Sequence, residues 1–455
     1  MFVVATIIVL LVGFFILLSP PFKVIRTALG LPEELPGSRY NSTVGATEII
    51  NEEYENFYLA RITFVYHAVF ITLLYATIIV FSAIYLQEYI RNLVLDLSLI
   101  GTLIVVISSV MYSYVDRSFL WHGTFLSGLA IFFVIALIIL LNFKPKNLLE
   151  WNIWLSGILL IIGAIWGAWL GSSFMSYRHE YVEALILSRY NPDFAEENFY
   201  WRILTSHEHA MIAIALTLTF FLGIRIARLD ESKALLRFFT VKRILCLTLV
   251  GQLFMAVASY AVTFFGKIAH LIITPAAILL IFGTLLLSFM VKREDILGWG
   301  LKIGNIIIWI AVALPGAIVA MSLRRPIFFN PPFRDPVWDW AELAYNIGHW
   351  HILLTTWGIA LLIIYISWPE NLTERNKFVK IGGWLSLIGF MVAMVCINFY
   401  MLGNPPGKYS PNPYDNIWLK FLVEPALSTM AIGIAIIYLF YLIKIGLPMI
   451  KDMFK

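Results

Sequence analysis

The chain has 455 residues, of which 60% are hydrophobic and only 13% are charged. This composition excludes an ordinary soluble domain, in which about 25% of the residues carry charge. The net charge of +4 is small and forms no basic patch of the kind that binds nucleic acid, so we expect no nucleic-acid partner. The two cysteines, Cys246 and Cys396, lie in apolar segments and predict no disulfide framework.

Apolar stretches long enough to cross a membrane recur along the whole chain. A hydrocarbon core of about 30 Å needs roughly 20 apolar residues in a helix. Twelve stretches meet this requirement and predict an all-α integral membrane protein. The first lacks a basic n-region and a cleavage site, so we expect a retained helix rather than a signal peptide. In chain order, spans one to twelve are 3–19, 60–87, 97–115, 123–142, 152–175, 203–225, 244–265, 269–291, 303–322, 344–366, 381–401 and 419–443.

The charge of the connections predicts how the spans are oriented. Even-numbered connections are short and basic, as in RIARLDESKALLRFFTVKR at 225–243. Odd-numbered connections are longer and rich in proline and aromatic residues, as in GNPPGKYSPNPYDNIW at 403–418. Basic connections stay on the cytoplasmic side of a membrane. We therefore expect a multi-pass protein of the plasma membrane with both termini in the cytoplasm.

One segment of the sequence is repeated. Its two copies are ENFYLARITFVYHAVFITLL at 55–74 and ENFYWRILTSHEHAMIAIAL at 197–216. They align without a gap at an offset of 142 residues, which places His67 on His209. A second step of the same length places the pair His207 and His209 on the pair His349 and His351. We therefore expect a single membrane domain of three units with about four helices each, in which spans two, six and ten are equivalent. The approximate units are 1–142, 143–284 and 285–455.

Five of the eight histidines lie in the first two turns of these three equivalent spans. Because all three spans enter from the outer side, the five imidazoles should form one layer in the outer leaflet. Any single imidazole could serve only to hydrogen-bond a neighbouring helix. Ionisable groups inside a membrane are costly, however, and are usually functional. Five of them at one depth predict a shared site.

The spacing within each histidine pair indicates what the imidazoles bind. Residues i and i+2 of a helix point about 200° apart, so His349 and His351 face opposite sides with Trp350 between them. Zinc sites favour histidines at i and i+4 with cysteine or carboxylate companions, which are lacking here. A haem between two helices instead takes one axial imidazole from each side. The pattern predicts two haems of b type or a related type, and no CxxCH motif for covalent attachment is present.

At this point the chain resembles the catalytic subunit of the haem-copper oxidase and nitric oxide reductase superfamily. The shared features are twelve spans with both termini inside, three four-helix units, one histidine on span two and an HxH pair on span ten. The resemblance covers nearly the whole chain in topology, but in motif only short stretches around spans two, six and ten. It implies that His67 and His351 are the axial pair of a low-spin haem, and that His349 is the proximal ligand of a second haem.

The resemblance also implies a place in a prokaryote-like respiratory chain. The depth of the histidine layer and the composition of the outer loops point to particular redox partners. These are quinol from the membrane and an outer-side cytochrome or cupredoxin-like protein. We also expect contact with membrane lipid and with other membrane subunits.

Span seven departs from the family pattern, because it lacks the two adjacent histidines that complete the second metal site there. Two interpretations follow. In one, His207 or His209 ligates the haem opposite His349, and the protein is an electron-transfer cytochrome. In the other, a divergent non-haem iron or copper lies beside an open haem, as a nitric oxide or oxygen reductase requires. Its ligands would be His207, Glu208, His209 and His270. We favour the first interpretation because His207 and His209 face apart.

Four arginines near the layer fit the anionic propionates of a haem, although ordinary snorkelling at the interface explains each one singly. They are Arg61, Arg202, Arg324 and Arg325. Three glycines at four-residue spacing on span five predict close helix packing without chemistry of their own. They are Gly163, Gly167 and Gly171. Tyr260 on span seven is expected to face lipid near the interface.

A twelve-helix solute transporter is the alternative from a different functional class. A major facilitator carrier would show two repeated halves and a Gly-Asp-Arg signature after its second span. Here the repeat has a period of 142 residues and that connection reads QEYIRNLVLDLS. Both observations favour the haem protein.

Overall fold

The computed structural model describes residues 64, 66–114, 118–176, 198–230, 234–236, 238–323, 336–368, 376–403, 422–448 and 451. Within these ranges eleven helices follow one another, and they correspond to predicted spans two to twelve. They are α1 Tyr66–Tyr85, α2 Glu88–Tyr114, α3 Phe119–Asn142, α4 Leu148–Ser176, α5 Asn198–Ile226, α6 Val241–Phe265, α7 His270–Met290, α8 Ile296–Leu323, α9 Pro336–Ile366, α10 Lys377–Gly403 and α11 Glu424–Tyr441. A short antiparallel hairpin of β1 Ala234–Leu236 and β2 Phe239–Thr240 precedes α6. Predicted span one lies outside the described residues.

The helices have the length and composition of membrane spans. Ten of those described are long and apolar enough to cross a bilayer, and the described part of α9 adds a shorter apolar segment, His351–Ile366. Large apolar side chains such as Phe254, Val257 and Trp309 are exposed on the outside of the bundle. In water such side chains would favour burial, whereas lipid accepts them. The chain is an all-α, multi-pass membrane protein.

Three helices begin well before their apolar stretches. Helix α2 begins at Glu88 although the apolar stretch begins at 97, α8 begins at Ile296 although its stretch begins at 303, and α9 begins at Pro336 although its stretch begins at 344. Hydropathy marks only the length that lipid surrounds, while backbone hydrogen bonding continues into the polar interface. The additional turns therefore belong to the same helices, but the length of an apolar stretch does not reveal them.

Helices α1, α5 and α9 contact one another in pairs and form the centre of the bundle. They are the three spans that the sequence repeat makes equivalent. The fully buried Trp357 of α9 donates from Nε1 to Oγ1 of Thr77 on α1 at 3.1 Å. This hydrogen bond links two of the three central helices. Helix α5 also packs against α4 and α6, so it is enclosed on most sides.

The other helices pack around this centre in a recurring order. Each central helix contacts the next helix in the chain, in the pairs α1 with α2, α5 with α6 and α9 with α10. The following helices then pack in the pairs α2 with α3, α6 with α7 and α10 with α11. Helices α4 and α8 contact the central helix that follows each of them. The contacts thus recur every four helices.

A buried polar network joins α4 to α6. Nδ2 of Asn152 donates to the carbonyl oxygen of Leu245 at 3.1 Å. Its Oδ1 accepts from Oγ1 of Thr248 at 2.8 Å and from Nε2 of Gln252 at 2.9 Å. All three side chains are fully buried. Because polar groups without partners are costly in an apolar bundle, this network fixes the rotation of α4 against α6.

Replacing Asn152 with alanine is expected to lower the free energy of unfolding by about 1–2 kcal/mol, because three buried groups lose this partner. The matched control is Asn142→Ala on α3, where an exposed amide donates to Ile138 of its own helix. Reversible unfolding in mixed micelles would measure both variants. An equal cost for the two would show that the network does not stabilise the bundle.

Candidate functional site

The candidate site lies at the start of α1, in the N-terminal half of α5 and at the middle of α9, a region that we call the histidine end. It contains His67 of α1, His207 and His209 of α5, and His349 and His351 of α9. Because these helices contact one another, the histidines meet between neighbouring helices of the central group.

His67 lies opposite His207. Their ring centroids are 6.2 Å apart, and the ring planes differ by only 15°. Behind His67 the ring of Phe125 on α3 stands edge-on at a centroid distance of 5.2 Å. Phe64 and His122 extend this aromatic wall, with centroids 4.5 Å and 6.4 Å from that of Phe125. The wall limits the directions in which the His67 ring can turn.

Helix α4 supports the other member of this pair through two glycines. Nδ1 of His207 lies 2.9 Å from the carbonyl oxygen of Gly163. A Cβ atom added at Gly167 would lie only 2.5 Å from Cε1 of His207. The imidazole therefore packs directly on the backbone of α4. The glycine spacing had predicted close helix packing, and the group that approaches Gly167 is the imidazole itself.

His209 and His349 form the second pair, between α5 and α9. The two imidazoles are close enough to interact electrostatically. Nδ1 of His209 lies 2.8 Å from the carbonyl oxygen of Thr205 on the same helix. Nδ1 of His349 lies 3.0 Å from that of Ala311 on α8. Helix α5 thus directs one imidazole toward α1 and the other toward α9, as the angle of about 200° between residues i and i+2 requires.

Three of the imidazoles share one hydrogen-bonding arrangement, namely His207, His209 and His349. Each places Nδ1 at a backbone carbonyl oxygen. A carbonyl oxygen can only accept, so Nδ1 must be the donor and Nε2 of the neutral ring keeps its lone pair. Metal-ligating histidines use this arrangement, in which the second nitrogen fixes the tautomer and the orientation of the ring. In all three residues Nδ1 is therefore the nitrogen that donates to the backbone.

His351 lies where α9 faces α1. Its ring stands edge-on to that of Tyr66 on α1, with centroids 5.9 Å apart, and its side chain is exposed. Tyr66 and His67 are consecutive, so they point about 100° apart on α1. Tyr66 is turned toward α9, whereas His67 is turned toward α5. The family resemblance instead implies His351 as the partner of His67.

Arg202 is the one predicted propionate contact that lies within the described residues. Its guanidinium packs over Gly266, where an added Cβ would be 3.5 Å from Nε. Gly266 has a φ of 60° and begins the short turn between α6 and α7, so glycine suits this position. Arg202 therefore lies at the histidine end, between α5 and that turn. The others, Arg61, Arg324 and Arg325, lie outside the described residues.

The residues predicted for a non-haem metal do not form a recognisable cluster in the part of the chain that the structure describes. Glu208 is half-buried on α5, between the two histidines that face apart. His270 is the first residue of α7, and its side chain lies outside the described part. No group of three His, Cys, Asp or Glu side chains suited to a metal ion occurs among the described residues. The divergent metal site therefore gains no support from them.

Tyr260 packs inward, and the prediction that it faces lipid is wrong. Its ring lies 4.6 Å from that of Trp166 on α4, and its hydroxyl donates to the carbonyl oxygen of Leu159 at 3.4 Å. The hydroxyl oxygen is 3.6 Å from the Cβ position of Gly163. Tyr260 thus packs behind the backbone that supports His207. A hydropathy profile could not show this, because it does not say which side of a span meets another helix.

Sequence reasoning missed the supporting role of Gly163 and Gly167. A signal for it was present, since their span directly precedes the one that carries His207 and His209.

The chain matches no model of a known protein family, no curated protein and no solved structure.

Proposed function

We propose that the chain is a haem-binding membrane protein that transfers electrons, with two non-covalent haems of b type held at the histidine end. The observation that carries the proposal is the pairing of imidazoles between the central helices. His67 faces His207, and His209 approaches His349. Three of these four rings are also held in the tautomer that a metal ligand needs.

The donor set fits haem iron better than a bare metal ion. Zinc and non-haem iron take three or four protein ligands, and no such group occurs among the described residues. Haem iron takes its equatorial nitrogens from the macrocycle and needs only axial ligands from the protein. Two imidazoles on one iron have centroids roughly 6 Å apart, given metal–nitrogen bonds of about 2 Å. The distance of 6.2 Å between His67 and His207 agrees with this value.

The protein groups at the histidine end would hold and insulate the haems. Bound haem supplies reversible one-electron chemistry at its iron. The carbonyl groups of Gly163, Thr205 and Ala311 orient the imidazoles. The aromatic wall around Phe125 keeps the surroundings of His67 apolar. Arg202 offers a positive charge to a propionate at the end of α5.

An electron-transfer role is favoured over catalysis at an open haem. A reductase of nitric oxide or oxygen needs a free coordination position and, in the family that the sequence resembles, a second metal. His209 is close enough to His349 to interact with it electrostatically, so we assign it to the coordination position opposite His349. Electron transfer between membrane quinol and an outer-side cytochrome or cupredoxin-like protein, with companion membrane subunits, is accordingly our proposal for the wider role.

The proposal extends to the architecture. Three four-helix units and twelve spans are supported by the contacts that recur every four helices. They are supported also by the repeat that places His67 on His209. Cytoplasmic termini are supported by the basic even-numbered connections.

The purified protein is expected to contain two haems per chain, extractable into acidified organic solvent because no CxxCH motif attaches them. Haem would be quantified as the pyridine complex against protein by amino-acid analysis. Reduced-minus-oxidised spectra would identify its type. A preparation that folds in detergent and yet contains no haem would refute the proposed function, and one haem per chain would refute the di-haem form.

A further inference from the structure

We propose that His207 of α5 is the second axial ligand of the haem iron that His67 binds. This assignment rests on the proposed function and identifies the ligands of one of its haems. It differs from the pairing of His67 with His351 that the family resemblance implies. In this assignment α5 serves both haems, with His207 on one face and His209 on the other.

The first argument is the relative position of the rings. His67 and His207 lie at the centroid distance expected for two imidazoles on one iron, and their planes are nearly parallel. His351 instead lies against Tyr66, which points about 100° away from His67 on the same helix. The bond between Trp357 and Thr77 holds α1 and α9 in this relative rotation.

The second argument is the support given to His207. Gly163 fixes its tautomer and Gly167 receives its ring, so α4 leaves this imidazole little freedom. A ligand needs such support because its orientation decides whether the lone pair of Nε2 points at the metal. Any buried imidazole needs an acceptor for its N–H group, but the close packing on Gly167 in addition restricts the direction in which Nε2 points.

The two assignments predict opposite behaviour for two glycine variants. His207→Gly is expected to lose one of the two haems or to convert it to a five-coordinate state, and added imidazole should restore the six-coordinate spectrum. His351→Gly is expected to keep both haems six-coordinate. The matched control is Phe390→Ala, which removes a buried ring from α10, a helix that carries none of the five histidines. Absorption and magnetic circular dichroism spectra would be recorded on each purified variant.

Loss of a six-coordinate haem in His351→Gly, with both retained in His207→Gly, would overturn the assignment but leave the proposed function standing. A wild-type protein without haem would overturn both together. The two failures are therefore distinguishable.

A second variant keeps the test decisive if the cavity made by His207→Gly harms folding. His207→Met keeps a side chain that can ligate iron, and replacing imidazole by thioether raises the reduction potential of a haem. We expect the midpoint potential of one haem to rise while that of the other stays unchanged. Unchanged potentials for both haems in this variant would overturn the assignment, because a merely structural His207 could be replaced without altering an iron ligand.

Discussion

Gly167→Ala is expected to cost the protein one of its two haems while the helices still insert. The added methyl group would lie 2.5 Å from Cε1 of His207 and less than 3 Å from both of its ring nitrogens. Such a contact cannot be relieved by a small rotation, because the ring is also held at the carbonyl of Gly163. Overpacking of this kind typically lowers the free energy of unfolding by about 1–3 kcal/mol. Here the contact is relieved only when the imidazole leaves its position.

The control for this variant lies on the same helix. An alanine at Gly157 would place its methyl group 3.2 Å from Cδ2 of Leu140, a flexible side chain that can yield. Haem content and the six-coordinate spectrum should therefore be unchanged in Gly157→Ala. Both proteins would be checked for insertion and monodispersity before the haem is counted. Full haem occupancy in Gly167→Ala would show that the position of His207 does not matter for binding.

The dithionite-reduced wild-type protein is expected to bind carbon monoxide weakly or not at all. With two axial imidazoles, ferrous haem has no free position for a diatomic ligand. His349→Gly is expected to change this and to bind carbon monoxide at one haem per chain, since it removes one member of the pair with His209. Titration of the reduced protein followed in the Soret region would measure the stoichiometry.

Elemental analysis separates this result from its alternative. We expect iron at the haem stoichiometry and no copper, because His207 and His209 face apart on α5 and span seven lacks the histidine pair of the family's second metal site. Phe390→Ala should remain unreactive toward carbon monoxide, as the wild type should. Rapid binding by the wild type at one haem, together with an additional iron or copper, would instead identify a nitric oxide or oxygen reductase.

Much of the architecture could be predicted from the sequence, because membrane spans depend on local properties. The apolar length needed to cross a bilayer located α1 to α11, with errors where helices such as α2 continue into the polar interface. The opposite orientation of His207 and His209 also followed from the sequence alone, since the angle between residues i and i+2 is a property of any α-helix. The repeat of 142 residues also predicted that the three central helices, α1, α5 and α9, are equivalent.

The partners of each histidine were decided only by the tertiary structure. Helices in a membrane are apolar on nearly all sides, so their hydrophobic pattern does not indicate which face turns inward. The rotation of α1 directs His67 toward His207. For the same reason the sequence could not show that Tyr260 faces another helix and not lipid. The support that Gly167 gives to His207 depends on two helices approaching each other closely. Such contacts arise from packing between helices, which no periodicity within a single span specifies.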